Sequence, residues 1–352
     1  MKKHTDMRNI IIIVILILVL AGCENQEQTF PDYNLQAVYF PIQLPLRTLS
    51  LGEDRIDNNL DREHKFDIGV SIGGMYENKK DWTVEYVVDT TLTDNVVNAG
   101  GAPLVSLPSG YYTLNPVNTV IIPKGSFNGL IRVELTDDFF NDPLAITGQY
   151  VIPLRITGTS ADSVLSGKPA RPGEVDRRVL ADWESGKAPK DWVMYGIKYV
   201  NAYHGTYLHR GRDIISSGGI PTDTVVFRNR YVERDLTIVL TTTGLMSVST
   251  NGVGTKISKT GKYSMALVFG NSQGTTGAIT ISPRAGSTYV VNGTGEYYDI
   301  ANSVEKWTGM TWQSMYLQYS YTEGANLHQV ADTLVFRDRG MKYEVNTITI
   351  GK

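Results

Sequence analysis

Trp312-Gln313-Ser314-Met315-Tyr316-Leu317-Gln318-Tyr319-Ser320-Tyr321 is the stretch on which the fold of this chain turns. Side chains on a strand alternate between faces, so Gln313, Met315, Leu317, Tyr319 and Tyr321 share one side, and Trp312, Ser314, Tyr316, Gln318 and Ser320 the other. The first set is the greasier and reads as core. The second mixes aromatic and polar groups and reads as a presented face. The same period of two recurs on either side of this stretch, over 195–200, 205–209, 224–230, 236–242, 262–269, 277–281, 295–300, 333–337 and 343–350, each of strand length and rich in Val, Ile, Tyr, Phe or Thr. A single antiparallel sheet of that size tends to close on itself, because closure removes its exposed edges, and a small barrel is expected over residues 195–352. Asp223-Thr224-Val225-Val226-Phe227-Arg228-Asn229-Arg230 nearly recurs as Asp332-Thr333-Leu334-Val335-Phe336-Arg337-Asp338-Arg339. Two such segments do not make a repeat protein.

Toward the N-terminus, short segments over 37–40, 65–72, 82–88, 119–122, 129–135 and 150–156 are separated by turn signals such as Gly73-Gly74, Pro108-Ser109-Gly110 and Asn141-Asp142-Pro143. This spacing predicts a two-sheet, immunoglobulin-like sandwich over residues 36–166. Composition shifts to Ser, Gly, Pro and charge around Gly167-Lys168-Pro169-Ala170-Arg171-Pro172-Gly173, which predicts a linker over 167–194. Within it Val175, Val179 and Trp183 stand at i, i+4 and i+8, the spacing of one or two helical turns over 174–183. No long segment has helical spacing, so the class is all-β.

Apolar residues make up 41% of the chain and charged ones 20%, enough to build cores, while a net charge of −3 offers no footprint for nucleic acid. Tyr outnumbers Phe by 20 to 9, supplying flat apolar area with a polar tip. At the start, Lys2, Lys3 and Arg8 precede an apolar run from Ile10 to Leu20 and then Ala21-Gly22-Cys23. A membrane-spanning helix needs about 20 apolar residues, so this run has the length of a signal-peptide core, and residues 1–22 are expected to be removed. Leu20-Ala21-Gly22-Cys23 resembles the lipobox of bacterial lipoproteins, whose cysteine is acylated. Cys23 is the chain's single cysteine and could form no internal disulfide. Residues 23–35 then read as a lipidated, polar tether.

The candidates for chemistry are weak. Gly270-Asn271-Ser272-Gln273-Gly274 fits the G-x-S-x-G elbow of serine hydrolases, but a strand-like segment follows where the elbow needs a helix, so a hairpin tip is expected. Asp54, Asp57, Asp61 and Glu63 resemble the acidic signature of family 18 glycoside hydrolases with altered spacing, in a chain without the alternating strand and helix of that barrel. A solvated loop, or a Ca²⁺ site at Asp57 and Asp61, is the reading here. His204 and His209 give no zinc constellation, and no cofactor is implied. The aromatic crowd is more informative. Trp307, Trp312 and Tyr316, with Gln318 in support, are the expected glycan-binding residues, because a sugar site wants flat π-faces beside amides or carboxylates.

Val38-Tyr39-Phe40-Pro41, Leu51-Gly52-Glu53-Asp54, Tyr150-Val151-Ile152-Pro153-Leu154-Arg155-Ile156-Thr157 and Ser163-Val164-Leu165-Ser166-Gly167 are similar to the sandwich domain that precedes some family 18 endo-β-N-acetylglucosaminidases of Bacteroidota. The part opening on Lys198-Tyr199-Val200-Asn201-Ala202-Tyr203-His204-Gly205 resembles the calycin-like barrel that follows this sandwich in lipoproteins of polysaccharide-utilisation loci. The resemblance implies a non-catalytic, outward-facing outer-membrane lipoprotein. It would bind an oligosaccharide or polysaccharide beside an outer-membrane transporter and its lid lipoprotein. A structural or adhesive protein that binds another protein, and an unrecognised glycoside hydrolase, are the alternative readings.

Overall fold

A computed structural model describes residues 31–54, 56–257 and 263–351; the apolar run and Cys23 lie outside the described residues. The chain is all-β, a sandwich joined to a closed barrel. The sandwich strands are β1 (Ala37–Tyr39), β2 (Pro45–Ser50), β3 (Lys65–Gly73), β4 (Trp82–Val88), β5 (Tyr112–Asn115), β6 (Thr119–Ile122), β7 (Asn128–Leu135), β8 (Tyr150–Thr159) and β9 (Trp192–Val200). One sheet runs Ser163–Val164, β1, β3, β7, β5; the other runs Glu344–Val345, β2, β9, β8, β4, β6. Alternation puts Val38, Phe66, Ile68 and Val70 of the first sheet against Val84, Tyr86, Ile152, Leu154 and Ile197 of the second, and these form the core between them.

The sequence expectation placed 195–200 at the start of the barrel, and here the structure differs. β9 lies in the sandwich, parallel to β2 and antiparallel to β8. It is covered on both faces: Val193, Ile197 and Tyr199 enter the sandwich core, while Trp192 and Met194 pack beneath Leu92, Leu104, Ile348 and Ile350. The C-terminal tail also returns. Glu344–Val345 pairs with β2, and Ile348–Ile350 pairs with Val96–Asn98, so the segment 343–350 read as barrel belongs to the sandwich too. The polar stretch before β9 is therefore an excursion from the sandwich and back. The helical spacing at Val175, Val179 and Trp183 yields only a 3₁₀ turn at Leu180–Asp182; the Trp183 indole N–H donates to the carbonyl of Asp176 (3.0 Å).

The barrel is built from β10 (Gly205–Ser217), β11 (Ile220–Phe227), β12 (Leu236–Gly244), β13 (Ser247–Thr250), β14 (Met265–Phe269), β15 (Gly277–Pro283), β16 (Asn292–Tyr298), β17 (Ser314–Glu323) and β18 (Asn326–Asp338). β10 pairs with β12 through its first half and with β18 along nearly its whole length, which closes the ring; β11 flanks the second half of β10. The two near-identical segments thus lie on opposite sides of one strand. Val248, Leu267, Ile281, Met315, Leu317, Val330 and Leu334 fill the interior. Among them is a buried polar set: Tyr319 Oη donates to Asp332 Oδ2 (2.6 Å) and accepts from Gly254 N (2.6 Å), and His328 Nδ1 lies 2.7 Å from Asp213 Oδ2.

The two bodies are pinned at the crossover 201–204. Buried Asn201 donates through Nδ2 to the carbonyls of Gly244 (2.9 Å) and Ser247 (2.8 Å), and its backbone N–H donates to Thr242 Oγ1 (3.0 Å). Arg339, 4% exposed, donates to the carbonyls of Ala202 and His204 (both 3.0 Å) in the crossover and of Glu53 (2.9 Å) in the sandwich.

Candidate functional site

The interior is filled by the side chains named above, and the barrel's grooves among the described residues lie on its outer wall. The outward positions of four adjacent strands are set by the register. Thr294, Gln318, Ala331 and Arg212 make one cross-strand row, Glu296, Tyr316, Thr333 and Arg210 the next, and Asn292, Ser320, Gln329 and Ile214 the third. Two contiguous grooves lie on this face. One, of about 410 Å³, is lined by Arg212, Asn292, Gln318, Ser320 and Gln329; the other, of about 460 Å³, by Arg210, Arg212, Val226, Arg228, Glu305 and Thr333. Ala331 and Arg212 belong to both. Alanine at the centre keeps the floor low, so the two grooves read as one trough, within the ~300–1,000 Å³ range of ligand sites.

Tyr316 stands at the trough's edge. Its hydroxyl donates to Glu305 Oε1 (2.7 Å), and its ring meets Tyr298 edge-on, with centroids 5.5 Å apart. Partial burial, and then the bond to Glu305, push the Tyr316 phenol up to about 12, so it stays protonated and donating at neutral pH. Gln318 is exposed and projects into the groove. On the far side Arg210 Nε donates to buried Asp235 (2.5 Å), which fixes that guanidinium against the sheet.

The structure separates the residues expected to bind together. Parity holds from Ser314 to Glu323, with Met315, Leu317, Tyr319 and Tyr321 inward and Tyr316, Gln318 and Ser320 outward or at the edge, except that Ser314 is itself buried. It does not extend back to Trp312, because β17 begins only at Ser314 and the chain before it crosses the barrel end. Trp312 is 6% exposed, stacks on Trp307 at 5.4 Å and leans on Phe336 at 6.2 Å. Both indoles donate to backbone carbonyls, Trp307 to Phe336 (2.9 Å) and Trp312 to Trp307 (3.2 Å). They close the end of the barrel, and neither lines the trough. Sequence reading missed Arg212, Asn292 and Gln329, which lie on other strands, and Arg228, which follows the end of β11; the outward parity of Arg210 and Arg212 on either side of Gly211 was the available signal.

The other candidates have structural employment. Asp61 is buried and accepts from Arg47 Nη2 (2.5 Å) and Ser50 N (2.9 Å), while Asp57 is exposed and accepts from Asn59 N (3.0 Å), so of the pair expected as a Ca²⁺ site one carboxylate is turned inward onto an arginine. No group of three or more His, Cys, Asp or Glu among the described residues is placed to hold a metal ion. Gly270–Gly274 tips the hairpin between β14 and β15, and Thr275 donates twice to the carbonyl of Ser272 (3.1 and 2.6 Å). No helix among the described residues is long and apolar enough to cross a membrane.

Fold and site together define a two-domain, all-β protein with a polar trough on the outer wall of a closed barrel. The chain belongs to the same family as a Bacteroides ovatus protein of unknown function whose crystal structure is 33% identical, covers 91% of this chain and 100% of its own, and superposes with a TM-score of 0.79. Residues 202–340 match the domain family of unknown function DUF5627, and residues 31–163 match a family described as an N-terminal domain. A second Bacteroides ovatus protein of unknown function is 16% identical over 88% of this chain and 100% of its own, with a TM-score of 0.39. An auxiliary nutrient binding protein of Bacteroides thetaiotaomicron is 15% identical over 77% of this chain and 82% of its own, with a TM-score of 0.37. No curated protein matches the chain.

Proposed function

We propose that this is a surface lipoprotein that binds glycan without cleaving it, and that the outer-wall trough is where the glycan lies. The observation that carries the reading is the trough itself. Outward amides, hydroxyls and guanidinium groups from four strands converge on a floor made low by Ala331, beside the Tyr316 and Tyr298 rings. Amides and hydroxyls supply the paired donors and acceptors that sugar hydroxyls need, and an aromatic edge offers an apolar wall. The trough's floor is built on paired strands, which limits the ordering entropy that opposes binding. Weak affinity per trough suffices when many anchored copies face one polymer.

The lipobox-like Leu20-Ala21-Gly22-Cys23 supports anchoring through acyl chains on Cys23, each buried CH₂ contributing about 0.8 kcal/mol. The resemblance to lipoproteins of polysaccharide-utilisation loci supports an outer-membrane position facing outward, beside a transporter and its lid lipoprotein. Cys23→Ser should move the protein from the membrane to the soluble fraction; retention in the membrane would sink the anchoring. For the ligand, calorimetry or a glycan array on the chain from residue 24 onward is decisive. Binding that is lost in Gln318→Ala and Gln329→Ala at unchanged melting temperature supports the trough. No binding to any dietary or host glycan refutes the reading.

A further inference from the structure

The trough carries an uneven charge that the glycan reading alone does not explain. Arg210, Arg212 and Arg228 all line the same groove. Arg210 and Arg212 stand two apart on β10 and share its outward face; Arg228 directly follows Phe227, which pairs with Gly211 between them. Arg210 is neutralised by Asp235, although its Nη2 remains buried without a partner. The side chains of Arg212 and Arg228 make no ion pair or hydrogen bond among the described residues, and both are exposed. The groove's own carboxylate, Glu305, already accepts from Tyr316. A chain of net charge −3 thus sets two arginines without ion-pair partners against one carboxylate on the wall of this trough, a local excess of positive charge.

A neutral sugar can accept hydrogen bonds from two guanidinium groups but leaves their charge unbalanced. A carboxylate or sulfate balances it, and the planar fork of arginine donates two parallel hydrogen bonds to either. The adjoining groove, with Gln318, Gln329 and Asn292, holds no second cation besides the shared Arg212 and suits hydroxyls. We infer that the ligand is an acidic oligosaccharide whose carboxylate or sulfate sits between Arg212 and Arg228, with its neighbouring residues lying along the amide-lined groove. This inference rests on the glycan reading and specifies its ligand class.

The test is affinity electrophoresis and calorimetry of the chain from residue 24 onward with polygalacturonate and chondroitin sulfate as acidic probes, amylose and mannan as neutral ones, and polyglutamate as a plain polyanion. Binding to an acidic polysaccharide is expected. It should weaken at least about tenfold in Arg212→Gln/Arg228→Gln and fall as salt rises from about 50 to 500 mM, with the melting temperature unchanged. Binding to amylose or mannan alone would overturn the acidic ligand and leave the glycan reading standing. Acidic binding that ignores both arginines would overturn the site, equal binding to polyglutamate would reduce it to bulk charge, and silence with every polysaccharide would end both readings.

Discussion

Replacing Gly52 with Ala is the sharpest probe of how the two bodies are held together. A Cβ at Gly52 would fall 2.0 Å from Nη2 and 2.5 Å from Cζ of Arg339, and 2.8 Å from the Cα of Ala202. The guanidinium cannot swing away freely, because it is buried and donates to three carbonyls from two domains. Displacing it breaks the bond to Glu53 at least, and hydrogen bonds from a charged donor contribute about 1.5–3 kcal/mol each. Overpacking against the Ala202 backbone adds about 1–3 kcal/mol. Gly52→Ala should therefore lose about 2.5–6 kcal/mol, and Arg339→Ala, which leaves three carbonyls in a hole, about 3–5 kcal/mol. The two losses should not add. In the Arg339→Ala background two of the three clashes have vanished, so Gly52→Ala should cost at least about 1 kcal/mol less there than in the parent. Urea unfolding followed by far-UV circular dichroism and tryptophan fluorescence measures all four proteins. Additivity within about 0.5 kcal/mol, or a Gly52→Ala cost below that figure, refutes the reasoning.

Two further outcomes are expected. Trp312→Ala should lose about 3–5 kcal/mol, since it empties a closed barrel end, whereas Gln318→Ala should stay within about 0.5 kcal/mol; thermal melts of the two distinguish core from trough. His204 is pushed down to about 4 by burial, then by Arg339 and Lys198, and its Nδ1 accepts from Thr242 N (3.1 Å), so the folded state needs it neutral. Between pH 6.5 and 4 the unfolded chain takes up this proton and the folded one does not. Stability should thus be intact at neutral pH and fall by up to about 3 kcal/mol as pH drops through that window. Denaturant titrations across pH should show the slope reduced in His204→Gln; identical slopes would count against this account.

The class of fold was legible in the sequence because it depends on local alternation. Met315, Leu317, Tyr319 and Tyr321 point inward as their parity demands. What failed was long-range pairing. Nothing in Trp192–Val200 itself says that its partners are Pro45–Ser50 on one side and Tyr150–Thr159 on the other, since a strand buried on both faces looks much like any apolar run. Trp312 failed for a related reason: alternation is a property of a strand, and the strand starts two residues later. The trough was half legible. Tyr316 and Gln318 were singled out from one strand, but Arg212 lies about a hundred residues earlier and reaches them only through the ring closure of β10 on β18.

That closure and the return of the tail have a joint consequence for where a ligand can be held. The chain enters the barrel from the centre of a sandwich sheet at Val200 and leaves it at Arg339, to pair again with β2 and with Val96–Asn98. Entry and exit are thus fastened to the same body, and Arg339 bridges them through Ala202, His204 and Glu53. A barrel attached by one linker would swivel; one attached at both ends with a buried cation between them presents its outer wall at a set angle to the sandwich. Residues 31–36 lead directly into β1 of that sandwich, so every copy tethered through Cys23 would carry its trough at the same angle to the body on which the tether ends. On this argument Arg339→Ala should weaken retention of a polymer by surface-bound copies more than it weakens binding of a short oligosaccharide in solution. Loosened barrels lose the set angle to the sandwich that copies facing one polymer share, while each trough stays as it was.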